Sequence, residues 1–237
     1  MSNLSEISVA ILAGGLGTRL APVLSGTQKV VAKVRNHPFL EYILSQLNKA
    51  GFKSVVICTG HLGNQVKREF GNNYINLSLR YSQENSELDT AGAIRLALSK
   101  LDSEDILIMN GDSYYDLNLQ SFYDFHLKKR AKISIILKQM GDTSRYGRVS
   151  MDEDGQVVGF EEKGKNGEGY INGGIYFIKK SHLYEIPEGR PVSFEKEMFP
   201  NWIGKGTYGF KAEGNFIDIG TPQTYNEAEE FFSQNPL

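Results

Sequence analysis

The 237 residues suffice for one large α/β core and at most two domains, and 40 % hydrophobic with 23 % charged residues is an ordinary globular composition. A formal net charge of −2 offers no overall positive field for nucleic acid or an anionic membrane, so phosphate must be met by a local cluster of cations. A single cysteine, Cys58, excludes an intrachain disulfide, and with neither a leader-like N-terminus nor a run of about eighteen apolar residues the expectation is a cytoplasmic protein.

In chain order, apolar β-branched runs predict strands near 8–13, 54–59, 77–82 and 105–110, with helices near 38–51, 62–70 and 90–100 between them. In the first helix Phe39, Ile43, Leu47 and Ala50 recur at the helical period and read as core. Cys58 follows the apolar run 55–57 and reads as a small buried residue. This alternation implies an α/β fold with a mostly parallel, doubly wound, Rossmann-like sheet. A further helix carries Phe122, Phe125 and Leu127 and ends in Lys128-Lys129-Arg130, cations suited to a helix carboxyl end. Beyond residue 131 strands dominate, near 132–139, 147–151, 156–161 and 170–178, before helices return near 193–200 and 221–233. No linker, repeat or low-complexity tract intervenes, so a single domain over 1–237 is expected, with one half at about 1–130 and a β-rich inserted half at about 131–237.

The residues that could carry chemistry sit where the strands end. The first strand runs through Leu12 and Ala13 into Gly14-Gly15-Leu16-Gly17-Thr18-Arg19, a turn able to take positive φ and converge backbone amides on an anion, with a guanidinium beside it. Such a turn is as often a plain strand-to-helix connection. The strand 106–109 ends in Asn110-Gly111-Asp112, which puts Asp112 at the sheet edge where ligands of open α/β proteins bind; a turn cap is the alternative to a Mg²⁺ ligand. Asp218 lies on a short apolar run closed by Gly220 and Pro222, and by itself reads equally as a structural aspartate. The four histidines show no metal-like spacing.

Together the stretch Gly14 to Pro22, Lys29, Gly111-Asp112, Lys163 and the run 218–222 resemble the motifs of the sugar-1-phosphate nucleotidyltransferases, in the same order and over nearly the whole chain. Gln28 stands where that family has proline, Val30 and Lys33 also depart, and Asp89 stands where glycine is usual. The resemblance implies a nucleotide-binding first half and a sugar-phosphate-binding second half. It assigns Leu12, Ala13, Gly14, Gly15, Gly17, Thr18, Gln83, Glu84, Thr90, Ala91 and Gly111 to the nucleotide, with Glu84 either reading the base or capping the turn behind it. It assigns Asn110, Gly147, Glu162, Lys163 and Asn172 to the sugar phosphate, and Mg²⁺ to Asp112 and Asp218. Arg19, Lys29 and Asp112 become the catalytic set, the two cations neutralising the triphosphate. Segments 38–42, 81–84 and 171–174 look most like the members that transfer a guanylyl group from GTP to D-glycero-D-manno-heptose 1-phosphate, releasing pyrophosphate, for surface polysaccharide synthesis. A uridylyl- or thymidylyltransferase and a silent regulatory subunit are the alternatives. The expected partners are the triphosphate and the sugar 1-phosphate, without nucleic acid or membrane, and a homodimer is compatible with the pattern.

Overall fold

The computed structural model describes residues 3–24, 26–144, 146–161, 167–234 and 237. Strand β1 (Ser8–Ala13) leads through the glycine turn to α1 (Ala21–Leu24), a small ribbon of β2 (Lys33–Val34) and β3 (His37–Pro38), and α2 (Phe39–Ala50). Next come β4 (Ser54–Thr59), α3 (Gly63–Phe70), β5 (Asn73–Tyr74), β6 (Leu77–Gln83), α4 (Asp89–Ala97) and β7 (Asp105–Asn110). The second half holds β8 (Ser113–Tyr115), α5 (Leu119–Lys128), β9 (Ile133–Met140), β10 (Val149–Met151), β11 (Val157–Phe160), β12 (Gly169–Lys179) and α6 (Lys180–Leu183). It closes with α7 (Phe199–Trp202), β13 (Thr207–Ala212), β14 (Phe216–Asp218) and α8 (Pro222–Gln234).

Eight strands form one sheet in the order β13-β9-β12-β7-β1-β4-β6-β5. Its centre is parallel, β1 pairing with β4 on one side and β7 on the other, and β4 with β6. β12 enters antiparallel between β7 and β9, where β13 adds a parallel edge. Alternation along the central strands explains why both faces are covered. Val9, Ile11, Leu107 and Met109 point into one apolar layer, and Ala10, Val56, Ile106 and Ile108 into the other. The chain leaves β1 for β4 and β6 on one side and then crosses to β7 on the other, so a crevice opens at the carboxyl ends of β1 and β7.

Several predicted elements take a more irregular form. The segment expected as a helix near 193–200 is a π-helical turn, Phe194–Met198, followed by the single turn of α7. β13 is absent from the predicted strands because Gly209 interrupts its apolar pattern. Helix α8 begins as expected, with Pro222 in its first turn and Thr221 Oγ1 accepting from Thr224 N at 3.2 Å. Cys58 is buried in β4, and burial pushes its thiol up to about 12, which leaves it inert. No helix among the described residues is long and apolar enough to cross a membrane.

At the foot of β7, opposite the crevice, lies a buried charge. Asp105, 6 % exposed, accepts from Lys179 Nζ at 2.8 Å and Tyr123 OH at 3.3 Å, and faces His126 Nε2 at 3.4 Å. Burial opposes its charge, but the hydrogen bonds and charges of His126 and Lys179 outweigh it and hold the carboxyl at about 2. Because the folded value lies below the ordinary one, this stability is complete above about pH 4 and is lost as pH falls towards 2. We expect Asp105→Ala to cost about 1–3 kcal/mol in urea unfolding at neutral pH, since it leaves His126 Nε2 and Tyr123 OH without that partner and Lys179 with the exposed Glu104 alone, and to flatten the loss between pH 4 and 2. Wild-type stability at neutral pH would refute the role.

Candidate active site

Two adjoining cavities, of about 200 and 190 Å³, open at the crevice and share Leu12, Gly15 and Asp112. Their common floor is set by one backbone contact. Gly111 N donates to Leu12 O at 2.8 Å just beyond the β1–β7 ladder, and a Cβ on Gly111 would lie 2.7 Å from that oxygen. The glycine therefore brings Asp112 against the turn that follows β1.

The glycine turn wraps the second cavity, whose walls include Ala13, Gly17, Thr18, Arg19, Lys29 and Gly220. Among Gly14, Gly15 and Gly17 only Gly17 takes positive φ (+60°), and Leu20 N and Ala21 N both bond back to its carbonyl at 2.9 Å. Gly14 gives room to the Glu84 carboxylate instead, since a Cβ there would lie 2.8 Å from Glu84 Oε1. Lys29 Nζ reaches Asp112 Oδ2 at 2.6 Å, and the carboxylate keeps 40 % of its side chain exposed to the cavity. Burial alone would raise the Asp112 carboxyl, but the Lys29 charge and the hydrogen bonds from Lys29 and Ser113 hold it below the ordinary range. It is charged and accepting at neutral pH.

Asp218 arrives from the far end of the chain. β14 pairs antiparallel with β8, setting Asp218 opposite Ser113, and Ile219 N donates to Asp112 O at 2.9 Å. Tyr146 OH donates to Asp218 Oδ2 at 2.6 Å and Gly220 N to Oδ1 at 2.8 Å. A Cβ on Gly220 would lie 3.6 Å from Arg19 Nη2, so the exposed guanidinium hangs over this wall. Asp112 thus lines the second cavity with Lys29 and Arg19, while Asp218, on the backbone beside it, faces a neighbouring cavity with Met140, Asp142 and Tyr146.

The first cavity is lined by Gly14, Glu84, Glu87, Asp89, Thr90 and Asn110. Glu84 Oε2 accepts from Leu88 N at 3.1 Å while Oε1 lies over Gly60 and Gly14. Burial raises the Glu84 carboxyl, the Leu88 amide partly offsets this, and Glu87 and Asp89 add to the rise. One oxygen caps the turn and the other faces the glycine wall. Asp89 holds φ +57°, the conformation that glycine would take freely, and its Oδ1 turns back to accept from Thr90 N at 2.6 Å. Thr90 Oγ1 accepts from Phe194 N at 2.9 Å and donates to Glu195 Oε2 at 3.2 Å, tying α4 to the π-helical turn.

Other expected contacts lie off these walls. Gln83 is exposed beyond the cavity, Ala91 is fully buried with its amide on Val192 O, and Gly111 acts through its backbone. Asn172 spends its amide within β12, Oδ1 accepting from Gly174 N at 2.9 Å and Nδ2 donating to Tyr176 OH at 2.8 Å. It shapes an irregularity in the β9–β12 register and keeps one N–H for another partner. Gly147 admits Glu161 O, which a Cβ would meet at 2.8 Å. Glu162 and Lys163 lie outside the described residues. Sequence reasoning missed Gly60, which follows β4 as Gly14 follows β1, and where a Cβ would meet Glu84 Oε1 at 2.5 Å and Gly14 O at 2.9 Å. A glycine directly behind a buried parallel strand was the available signal.

Comparison with known proteins sets this geometry in context. The family model described as nucleotidyl transferase matches residues 8–235. The chain is 38 % identical over 222 residues to D-glycero-alpha-D-manno-heptose 1-phosphate guanylyltransferase of Aneurinibacillus thermoaerophilus, covering 93 % of this chain and 96 % of that one. The protein of the same name from Campylobacter jejuni is 36 % identical over 91 % and 95 % of the two chains. Among solved structures, HddC from Yersinia pseudotuberculosis superposes with a TM-score of 0.86 at 31 % identity, covering 95 % of this chain and 99 % of that one. HddC complexed with GMP-PN gives 0.84 at 30 % identity, with the same coverage.

Gly60→Ala should push Glu84 and the Gly14 turn apart. Overpacking of this kind costs on the order of 1–3 kcal/mol of folding stability, read as a lower urea midpoint. A wild-type midpoint would show that the Glu84 and Gly14 walls can give way.

Proposed function

The chain belongs to the nucleotidyl transferase family, and from that premise we propose that it transfers a guanylyl group from GTP to D-glycero-D-manno-heptose 1-phosphate, giving a GDP-sugar and pyrophosphate. The observation that carries the chemistry is the meeting of Lys29, Arg19 and Asp112 around a glycine turn at the carboxyl ends of β1 and β7, with Asp218 on the backbone next to Asp112. The names of its relatives carry the choice of base and sugar.

Both substrates are polyanions, and their approach must be neutralised before bonds change. In the reaction an oxygen of the sugar 1-phosphate bonds to the α-phosphorus of GTP, and the bond from that phosphorus to the β-phosphate oxygen breaks. Transfers of this type depend on positioning and electrostatics rather than on a protein nucleophile. Lys29 pairs with Asp112 at the cavity wall and is placed to meet triphosphate oxygens there. Arg19, exposed over Gly220, adds a planar fork of donors from the opposite wall. The base falls to the cavity of Glu84, Asp89 and Thr90, whose acidic rim suits a base edge rich in hydrogen-bond donors, such as guanine N1–H and its 2-amino group.

The donor set also fits Mg²⁺. Asp112 and Asp218 supply hard carboxylate oxygens from adjacent strand ends, and no three His, Cys, Asp or Glu side chains that could hold a metal unaided come together among the described residues. Mg²⁺ is commonly held by one or two carboxylates plus substrate phosphates, so this pair would hold it with the triphosphate. When bound, the ion would neutralise charge on the phosphates. The reading places the reaction in the cytoplasm, with the GDP-sugar passing to surface polysaccharide synthesis. Lys163 would hold the acceptor phosphate with Glu162 beside it.

A panel of GTP, UTP and dTTP against heptose 1-phosphate and mannose 1-phosphate, read as pyrophosphate release with products identified by mass, tests the proposal. GTP with heptose 1-phosphate should give the highest kcat/KM. A faster UTP or dTTP reaction would overturn the base assignment, and binding without turnover of any pair would favour a regulatory subunit. Arg19→Ala should lower kcat by about a hundredfold to a thousandfold. Asp112→Asn and Asp218→Asn should abolish turnover with an unchanged far-ultraviolet spectrum; full activity of either in chelator would remove the metal assignment.

A further inference from the structure

Among the positions at which this chain departs from the family pattern, Gln28 lines the second cavity and uses both ends of its side-chain amide. The residue is 4 % exposed. Its Nε2 donates to Ala13 O at 2.7 Å, where β1 turns into the glycine turn, and its Oε1 accepts from Val30 N at 2.6 Å. Its backbone N–H donates to Gln65 Oε1 at 2.7 Å, and Gln65 Nε2 in turn donates to Gly26 O at 3.0 Å. Four hydrogen bonds therefore join α3, the glycine turn and the short 3₁₀ turn Lys29–Val31.

That turn carries Lys29. Its stem lies under the glycine turn, where a Cβ on Gly17 would be 3.6 Å from Lys29 Cβ, and Val30 Cγ1 lies 3.2 Å from the place of a Cβ on Gly111. Lys29 is thus held between the two loops that form the cavity, and Gln28 is the residue bonded to what lies on either side of it. The Gln28 backbone has φ −66° and ψ 135°. A proline ring fixes φ near −65° and removes the N–H. Gln28 adopts the same backbone angle while using the N–H that proline lacks.

We infer that Gln28, braced by Gln65, is a positioning residue for Lys29: hydrogen bonds hold the turn in the conformation that a proline ring would otherwise impose. The inference rests on the reading of Lys29 as the cation that meets the triphosphate. Misplacement of a catalytic group by even about an ångström can cost orders of magnitude in rate, so the effect belongs in kcat.

A double-mutant cycle on steady-state kinetics tests it. Gln28→Ala should lower kcat about tenfold with the KM for the sugar 1-phosphate unchanged, and in the Lys29→Ala background it should have no further effect on kcat, because there is no longer an ammonium to position. Gln28→Pro should stay within about threefold of wild type, since it restores the backbone angle by covalent means. If Gln28→Ala unfolds, Gln65→Ala, which removes only the outer brace, should show the same dependence on Lys29. Independent, multiplicative losses from Gln28→Ala and Lys29→Ala would overturn the positioning role and leave the reading of Lys29 intact. A wild-type rate in Lys29→Ala would instead remove that reading, and the inference with it.

Discussion

The crevice depends on the β1–β7 ladder being carried one residue past the last strand pair by the Gly111 N–Leu12 O bond. Without a side chain at Gly111 the chain can bend there and still keep the bond, and the next residue, Asp112, then faces the turn behind β1. Each other member of the site is placed relative to this junction. Lys29 bonds to Asp112, Ile219 N caps the Asp112 carbonyl and so fixes Asp218, and Arg19 hangs over Gly220. A main-chain constraint of one bond sets a constellation drawn from residues 12 to 220.

The electrostatics follow from the same placement. The formal net charge is only −2, yet Lys29, Arg19 and Asp112 gather around one cavity at the carboxyl ends of β1 and β7. The Lys29 ammonium beside Asp112 favours the charged carboxylate, which burial alone would disfavour. On the other side of the floor, Glu84, Glu87 and Asp89 form an acidic rim that suits a donor-rich base better than a phosphate. The α4 amides give the same reason, since Thr90 N is taken by Asp89, and Ala91 N and Gly92 N by Val192 O. One side of the crevice therefore presents carboxylates and satisfied amides, and the other presents Lys29 and Arg19.

Much of this was legible in the chain. β1, β4 and β7 lie where their apolar β-branched runs end, because a strand buried on both faces leaves a run too apolar to be anything else of that length. β13 was invisible because Gly209 breaks the pattern, and the π-helical turn because its five-residue closure has no sequence period of its own. At the site, residue types and order indicated the neighbourhood, while the bonding did not show. Glu84 gives one oxygen to its own turn, Asn172 spends its amide on a register irregularity, and Tyr146 reaches Asp218 across 72 positions. Such pairings are decided by the tertiary arrangement of side chains, which no local spacing encodes.

The order of the strands has a consequence for synthesis. β12 lies between β7 and β9, although β7 and β9 are made before it. As the chain leaves the ribosome, β1, β4, β6 and β7 can pair once residue 110 has emerged, but the outer edge of β7 has no partner until residue 179 has emerged. Through that interval the strand Asp105–Asn110, almost wholly apolar, is an open edge of the kind that recruits a second chain. The side of β7 away from β1 is thus the last of the central strand edges to be paired, and a nascent chain stalled before β12 would carry a formed glycine turn beside an unfinished, adhesive sheet.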